Sequence, residues 1–197
     1  MLSPWRKNLR RLVLILGLLS GVVLAGELVP VTEEARAGSK SASELNALLA
    51  RLRCMSPDEL EQLYGQADAG GFPVGFARGR LLVLTETRMP KVKERLANFV
   101  WKGKHFEEDG RFINQWAGLR ALHSHVVSGP SWFDGRPCII MEYPEGTPLF
   151  ANMRDEIREI APGVYLGRFY ERCPQPKFRG FFALVIEPEK DHKSHRR

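Results

Sequence analysis

The amino-acid sequence predicts a mainly β protein. It indicates an antiparallel β-barrel of about seven or eight strands, with two N-terminal helices and one inserted helix. Short apolar runs alternate with turn residues over residues 98–172, which is typical of a meander of strands. A two-residue period dominates after Lys104, and the chain shows neither a βαβ alternation nor an internal repeat. Closing such a meander into a barrel leaves no strand edge exposed, so a barrel is the expected arrangement.

The first 25 residues predict a secretory signal peptide. A basic stretch ends at Arg11 and is followed by the uncharged, apolar run of residues 12–25. As a helix this run would be about 21 Å long, which is shorter than the roughly 30 Å hydrocarbon core of a membrane. We expect cleavage after Ala25 and export of the remaining chain. The alternative is an uncleaved membrane anchor that reaches Val31, although Glu27 interrupts it.

Composition and charge exclude some classes of partner. The chain is 44% hydrophobic, which is enough to form a core. Its formal charge of +6 includes four cations before residue 12, and without them the charge is +2. We therefore expect no nucleic-acid partner, and contact with a membrane only through an uncleaved signal. Residues 26–42 are interpreted as a polar linker and residues 188–197 as a charged tail, and no motif indicates an oligomeric state.

Residues 43–70 predict a pair of short helices. Leucines recur at helical spacing in the first of them, at Leu45, Leu48, Leu49 and Leu52. The second begins with a capping box, in which Ser56 is the cap residue and Glu59 lies three residues later. Pro57 occupies the first helical position, where its missing N–H costs nothing. We interpret this helical hairpin as a brace that packs on the main body.

The barrel domain is predicted over residues 72–187. Its first strand covers residues 73–84, and an inserted helix follows at residues 90–101, with Val92, Leu96, Phe99 and Val100 on one face. Asp109-Gly110 predicts a hairpin turn. Residues 153–160 suit either a helix or a hairpin strand, and we favour the hairpin because the next run pairs naturally with it. Further strands are predicted at residues 104–106, 111–114, 119–127, 137–143, 164–172 and 180–187.

Two groups of residues are candidates for ligand binding. The first combines aromatic rings with a few polar groups, as ligand cavities do: Trp101, Lys104, Asn114, Trp116, Tyr143 and Tyr165. The same residue types also fill protein cores, which is the alternative. The second group is Arg154, Glu156 and Arg158, which share one face of a strand. Facing inward and paired, they could bind a carboxylate bidentately, whereas facing outward they would be solvated.

No motif predicts a cofactor, a metal site or a nucleophilic catalyst. The chain has no C-x-x-C, no G-x-S-x-G and no phosphate-binding glycine loop. His123 and His125 have the spacing of two metal ligands but lack a third at a fixed distance, so a surface position is expected. Cys138 and Cys173 could pair in an oxidising compartment, and buried free thiols are the alternative.

Three short elements carry a resemblance to known sequences. They are Trp101-x-Gly103-Lys104-x-Phe106, Asn114-Gln115-Trp116 and the Gly-Val-Tyr-Leu-Gly of residues 163–167. They resemble uncharacterised exported bacterial proteins and, more distantly, lipocalin-like families that contain a Trp-x-Gly-Lys-x-Phe element. The resemblance covers residues 72–186. It implies a calycin-type β-barrel and no established activity.

The leading hypothesis is an exported β-barrel that binds a small apolar or amphipathic ligand. The ligand would be lipophilic or a carboxylate, with an anionic head group met by Lys104, Arg154 or Arg158. An enzyme on the same scaffold is one alternative, with Glu156 and either Tyr143 or His105 as acid and base. Another is an envelope structural or interaction protein with a filled barrel, which would dock through exposed leucines of the helical hairpin, namely Leu45, Leu49 and Leu63.

Overall fold

The computed structural model describes residues 42–85, 90–117, 119–144 and 151–187. The proposed signal peptide, the charged tail and all but the last residue of the linker lie outside these ranges. The described chain forms a closed antiparallel barrel of eight strands with three helices, which confirms the predicted fold class and its calycin-like architecture. None of the described helices is long and apolar enough to span a membrane.

The strands follow one another around the barrel in sequence order, and the last pairs with the first. They are β1 (Gly75–Leu84), β2 (Trp101–Phe106), β3 (Arg111–Trp116), β4 (Leu119–Pro130), β5 (Pro137–Glu142), β6 (Met153–Ala161), β7 (Val164–Glu171) and β8 (Lys177–Ile186). The helices are α1 (Ala42–Cys54), α2 (Pro57–Gln66) and α3 (Pro90–Val100). The ambiguous segment after residue 152 is the first strand of the β6–β7 hairpin, as predicted.

Two hydrophobic cores lie on the two faces of the barrel wall. The inner core includes Phe106, Phe112, Met141, Ile157, Phe182 and Leu184. The outer core joins leucines of α1 and α2 to the outward side chains of β7 and β8, namely Val164, Leu166, Phe181, Ala183 and Val185. Strands β7 and β8 are therefore buried on both faces, which explains their nearly continuous apolar sequence.

The helical hairpin is a brace and not a docking surface. Leu45 and Leu49 are only 5% and 6% exposed, and Leu63 packs partly buried against the same outer core. The exposed leucine patch that the interaction-protein alternative required is therefore not present on this hairpin, and the predicted brace packing is the one observed. The capping box of α2 is confirmed, because the Ser56 hydroxyl accepts from the Glu59 N–H and the Glu59 carboxylate accepts from the Ser56 N–H.

Helix α3 attaches to the barrel through its polar side. Strand β1 pairs with β2 only as far as Arg78, so one edge of its second half lacks a strand partner. The Asn98 amide replaces that partner by bonding both the N–H and the C=O of Leu81, at 2.8 and 2.9 Å. The Glu94 carboxylate accepts from the Leu84 N–H at 3.0 Å. These bonds turn the apolar face of the helix outward, which is the reverse of the usual packing.

The spacing of the Trp-x-Gly-Lys-x-Phe element follows from a bulge in β2. Gly103 has a φ of 144°, and a Cβ there would lie 2.0 Å from the Ala77 carbonyl oxygen. The register shift between Trp101 and Gly103 brings the indole onto the inner core, where it covers Gly79. Lys104 follows the bulge and is also buried in the barrel interior. The element therefore directs an aromatic ring and a cation to the same side of the wall.

Candidate functional site

A polar cluster lies inside the apolar barrel. It consists of Lys104 on β2, Asn114 on β3, Tyr143 just after β5 and Asp155 on β6. The Lys104 ammonium donates to the Asn114 side-chain oxygen at 2.9 Å and to the Tyr143 hydroxyl at 2.6 Å. It also lies 3.2 Å from the Asp155 carboxylate, to which Tyr143 donates at 2.8 Å. Side chains from β2, β3, β6 and the residue after β5 therefore meet at one buried ammonium group.

Burial sets the electrostatics of this cluster. Lys104 is only 2% exposed, and its loss of water lowers the pKa of the ammonium group, while the neighbouring Asp155 carboxylate opposes that shift. Burial also raises the pKa of Tyr143 well above its ordinary value, and the Asp155 charge raises it further. The phenol is therefore neutral at physiological pH. The cation is also faced by the Phe112 ring, whose centroid lies 4.8 Å from the ammonium nitrogen.

The Asn114 side chain leaves one donor of the cluster open. Its oxygen accepts from Lys104, which fixes the orientation of the amide and directs its nitrogen the other way. That nitrogen is buried and has no hydrogen-bond partner of good geometry. The amide lies near the Tyr143 hydroxyl, where it opposes the rise of the pKa of that phenol. The cluster can therefore donate one further hydrogen bond to an acceptor oxygen.

Most of the first candidate group lies toward one end of the barrel, called here the α3 end because α3 joins the end of β1 to the start of β2. Trp101 and Trp116 pair in register across β2 and β3 at this end, and both are partly buried. Tyr165 belongs to the inner core but lies near the opposite end, where its hydroxyl donates to the Gly71 carbonyl at 2.8 Å. The structure therefore separates Tyr165 from the other five residues.

The second candidate group does not line the barrel interior, and it is not solvated either. Arg154, Glu156 and Arg158 point to the outside of β6, where α2 and the turn at residues 131–136 bury them. Glu156 is 0% exposed and accepts from the Ser131 hydroxyl, the Trp132 N–H and the Arg154 guanidinium, at 2.6, 2.9 and 2.7 Å. The inward-facing arrangement on which a carboxylate-binding role depended is therefore not formed, because groups of the protein itself satisfy these charges.

Arg158 completes this outer network. Its guanidinium donates to both carboxylate oxygens of Asp134, at 2.6 and 2.8 Å, and to the Tyr64 carbonyl at 3.1 Å. The donation from Arg158 holds the pKa of Asp134 below its ordinary value. Arg158 also stacks on the Tyr64 ring, with its central carbon 4.6 Å from the ring centroid. These contacts fasten both the turn and α2 to the wall of the barrel.

The proposed acid–base pairs do not form. Glu156 lies outside the barrel wall and Tyr143 lies inside it, so the two groups cannot act on one substrate. His105 alternates with the inward Lys104 and Phe106 on β2, which places it on the outer face of a strand far around the barrel from Glu156.

The histidines and cysteines form no site among the described residues. His123 and His125 are exposed, and the described residues contain no group of three His, Cys, Asp or Glu side chains that could hold a metal ion. Cys138 and Cys173 are both free thiols, so of the two alternatives that the sequence left open the disulfide is not formed, and only Cys138 is buried. Burial raises the pKa of Cys138 to about 12, which makes it an unreactive packing group.

Sequence reasoning missed Asp155 as the interior partner of Lys104. The signal was present, because Met153 and Ile157 lie two residues to either side and are both apolar. Residues of the same parity share one face of a strand, so the inner face of β6 could have been identified from these two residues. Ser131 and Asp134 were also missed, since their roles depend on contacts made across 24 to 25 residues of chain.

The fold and the site together define an eight-stranded antiparallel barrel with a buried polar cluster in its interior. No protein-family model matches the chain, and no curated protein matches it. The crystal structure of a protein from Thermomonospora curvata is similar, with a TM-score of 0.54 and 17% sequence identity. The match covers 74% of this chain and 97% of that protein, and it shows a shared barrel fold.

Proposed function

We propose that this protein is an exported β-barrel that binds a small amphipathic molecule, with its head group at the Lys104 cluster. The observation that carries the proposal is the Asn114 amide nitrogen, a buried donor that lies near the Tyr143 hydroxyl but makes no well-aligned hydrogen bond, beside a buried ammonium. Leaving such a donor unsatisfied costs about 1–3 kcal/mol, which an acceptor oxygen of a ligand would recover. The surrounding aromatic and aliphatic side chains suit an apolar ligand body.

The charge of the cluster favours an uncharged head group. The three hydrogens of the Lys104 ammonium already face acceptors on Asn114, Tyr143 and Asp155. Its positive charge is balanced by Asp155, so a ligand carboxylate would add an uncompensated negative charge to the interior. We therefore expect a carbonyl, hydroxyl or protonated carboxyl group. An ionised carboxylate ligand, as first expected, is the less favourable case.

The ligand would enter at the α3 end of the barrel. Farther from that end, Phe106 and Ile157 are 1% and 0% exposed, so they leave no path for a ligand from the solvent to the interior. Nearer that end, Leu84, Met153 and Phe169 are 8% to 9% exposed. Met153 is unbranched and adaptable, so it can move aside at small cost. The apolar body of the ligand would take the volume that these side chains release.

Native mass spectrometry of the full chain, expressed in a bacterium and compared with its denatured mass, tests the binding proposal. We expect an extra mass that is lost on denaturation. We also expect fatty alcohols and fatty acids to raise the melting temperature. Asn114→Leu should reduce that shift, while Gln115→Leu, a neighbour on the other face of β3, should retain it. Absence of both an extra mass and a melting shift would overturn the proposal.

Export is supported by the basic and apolar pattern of residues 1–25. The same bacterial expression tests it, through the mass and location of the recovered chain. We expect a mature chain that begins at Gly26 in the extracytoplasmic fraction. A full-length chain recovered from the cytoplasm would contradict this part of the proposal without affecting the binding part.

A further inference from the structure

We propose that α3 docks on an anionic lipid surface through an exposed apolar stripe formed by Val92, Leu96 and Phe99. These side chains are 56%, 47% and 71% exposed, respectively. Their spacing of four and three residues places them on one face of the helix. Large apolar side chains that are exposed together on one face indicate an interaction surface.

Cations flank the apolar stripe on both sides. At 100° per residue, Lys91 and Arg95 lie along one side of the stripe and Lys93 lies along the other. Lys91 and Arg95 are exposed, and Lys93 is partly exposed. Glu94 is the single acidic residue between positions 90 and 102, and it is 7% exposed because one of its carboxylate oxygens is bonded to β1. Its other oxygen lies 3.5 Å from the Lys91 ammonium, whose side chain stays 81% exposed. The outward face of α3 is therefore both apolar and cationic.

An anionic bilayer surface is the partner whose chemistry matches this face. Its lipid head groups attract the flanking cations, and its acyl region accepts the apolar side chains of a helix that lies in the membrane plane. A second copy of the chain would fit poorly, because pairing two such faces would bring their cations together. A purely apolar partner would offer no negative charge to Lys91, Lys93 and Arg95.

The attachment of α3 prevents the stripe from turning inward. Asn98 and Glu94 bind β1 from the opposite side of the helix, and they satisfy backbone groups of Leu81 and Leu84 that no strand reaches. Rotating the stripe toward the barrel would break these three hydrogen bonds. The helix is therefore held with its apolar stripe facing away from the wall, as a docking element requires. The orientation of α3 is independent of any ligand bound in the interior.

A fluorophore on the stripe tests the proposal in the full chain. Cys54→Ser and Cys173→Ser remove the exposed thiols, and Val92→Cys carries a polarity-sensitive label such as a nitrobenzoxadiazole. The probes are vesicles of phosphatidylcholine alone and vesicles that also contain phosphatidylglycerol. The emission of the label reports only on its immediate surroundings. Membrane attachment through residues 1–25 would therefore not by itself shift the emission at position 92. A control label at Gln62→Cys, exposed on α2, reports any general effect.

We expect a blue shift and stronger emission at position 92 with phosphatidylglycerol vesicles, none at position 62, and reversal at about 0.5 M salt. Replacing Lys91, Lys93 and Arg95 by Gln should weaken the affinity on the order of a hundredfold, since each cation contributes about 1 kcal/mol. No shift at position 92, or an equal shift with phosphatidylcholine alone, would overturn the proposal. A shift that grows with protein concentration in the absence of vesicles would assign the stripe to a second copy instead.

Discussion

Asp155 and Glu156 are consecutive in sequence, yet each belongs to a different buried ion pair on opposite sides of the barrel wall. The Asp155 carboxylate lies 3.2 Å from the Lys104 ammonium in the interior. The Glu156 carboxylate lies 2.7 Å from the Arg154 guanidinium outside the wall. Successive side chains of a strand point to opposite faces, so one segment of β6 contributes to both the interior cluster and an outer network. We call that network, which consists of Arg154, Glu156 and Arg158 with the turn at residues 131–136, the outer brace.

Breaking the interior pair should destabilise the protein more than replacing it. Lys104→Met alone leaves the Asp155 carboxylate buried without its cation, and we expect a loss of about 3–5 kcal/mol in the free energy of unfolding. Combining Lys104→Met with Asp155→Leu should recover most of that loss, because an apolar pair needs no compensation. Urea unfolding of the three chains measures this. A double variant no more stable than the single one would contradict the interpretation of these residues as a compensated pair.

The outer brace should depend on Glu156. Glu156→Ala removes the acceptor of the Ser131 hydroxyl and the Trp132 N–H, and it leaves the Arg154 guanidinium without its carboxylate. We expect a loss of about 3–5 kcal/mol in unfolding free energy and faster hydrogen exchange in the turn at residues 131–136. Glu108→Ala, at an exposed position in the β2–β3 turn, is the matched control. Equal stability of the two variants would refute the role of Glu156 as an anchor.

The barrel could be predicted from the sequence because its signals are local. Alternation of apolar residues, the Asp109-Gly110 turn and the capping box at Ser56 each depend on neighbours within a few residues. The β6–β7 hairpin followed from the same reasoning. These local preferences agree with the tertiary contacts in the structure, so the antiparallel barrel of seven or eight strands could be predicted without knowledge of those contacts.

The sequence predicted only some of the residues in the site. The partners of each side chain depend on which face of the barrel wall other elements cover, and the sequence does not show this directly. Lys104, Asn114 and Tyr143 were identified by residue type, and Asp155 was missed. Glu156 was expected either inside the barrel or in solvent, since the pattern of β6 does not reveal that α2 and a distant turn bury its outer face. Burial on the outside of the barrel wall arises from tertiary packing alone. The residue pattern of a short segment therefore does not reveal it.

Acid should weaken the outer brace through Asp134. Donation from Arg158 holds the pKa of Asp134 below its ordinary value of 3.8, so the unfolded chain binds this proton more readily than the folded one. The contribution of Asp134 to stability is therefore complete above pH 3.8 and is lost as the pH falls through the lowered pKa. Asp134→Asn should be less stable near neutral pH and should lose this part of the acid dependence.

Urea midpoints measured across acidic pH test that expectation. Asp58→Asn, which makes the same chemical change at an exposed position in α2, is the control and should keep the acid dependence of the original chain. If Asp134→Asn retained the full loss of stability in acid, the titration would have to be assigned to another carboxyl group.

The three cysteines should differ sharply in reactivity. Cys54 and Cys173 are exposed, whereas Cys138 is 0% exposed and burial raises its pKa to about 12. We expect Ellman's reagent to modify two thiols in the folded, reduced protein and the third only on unfolding. Cys138→Ala should leave the fast reaction of two thiols unchanged, and Cys54→Ser should remove one of them. Rapid modification of all three thiols without denaturant would show that β5 and α2 open readily.

Gly79 should be required for the position of the Trp101 indole. A Cβ at Gly79 would lie 2.6 Å from a ring carbon, so an alanine must displace the ring from its edge-on contact with Phe182. We expect Gly79→Ala to cost about 1–3 kcal/mol in unfolding free energy and to change the near-ultraviolet circular dichroism of the tryptophans. Gly71→Ala is the matched control, because a Cβ there meets nothing within 4 Å and should change stability by less than about 0.5 kcal/mol. If the two alanine variants were equally stable, the indole would not be held against β1 by close packing, and the Trp-x-Gly-Lys-x-Phe spacing would need another explanation.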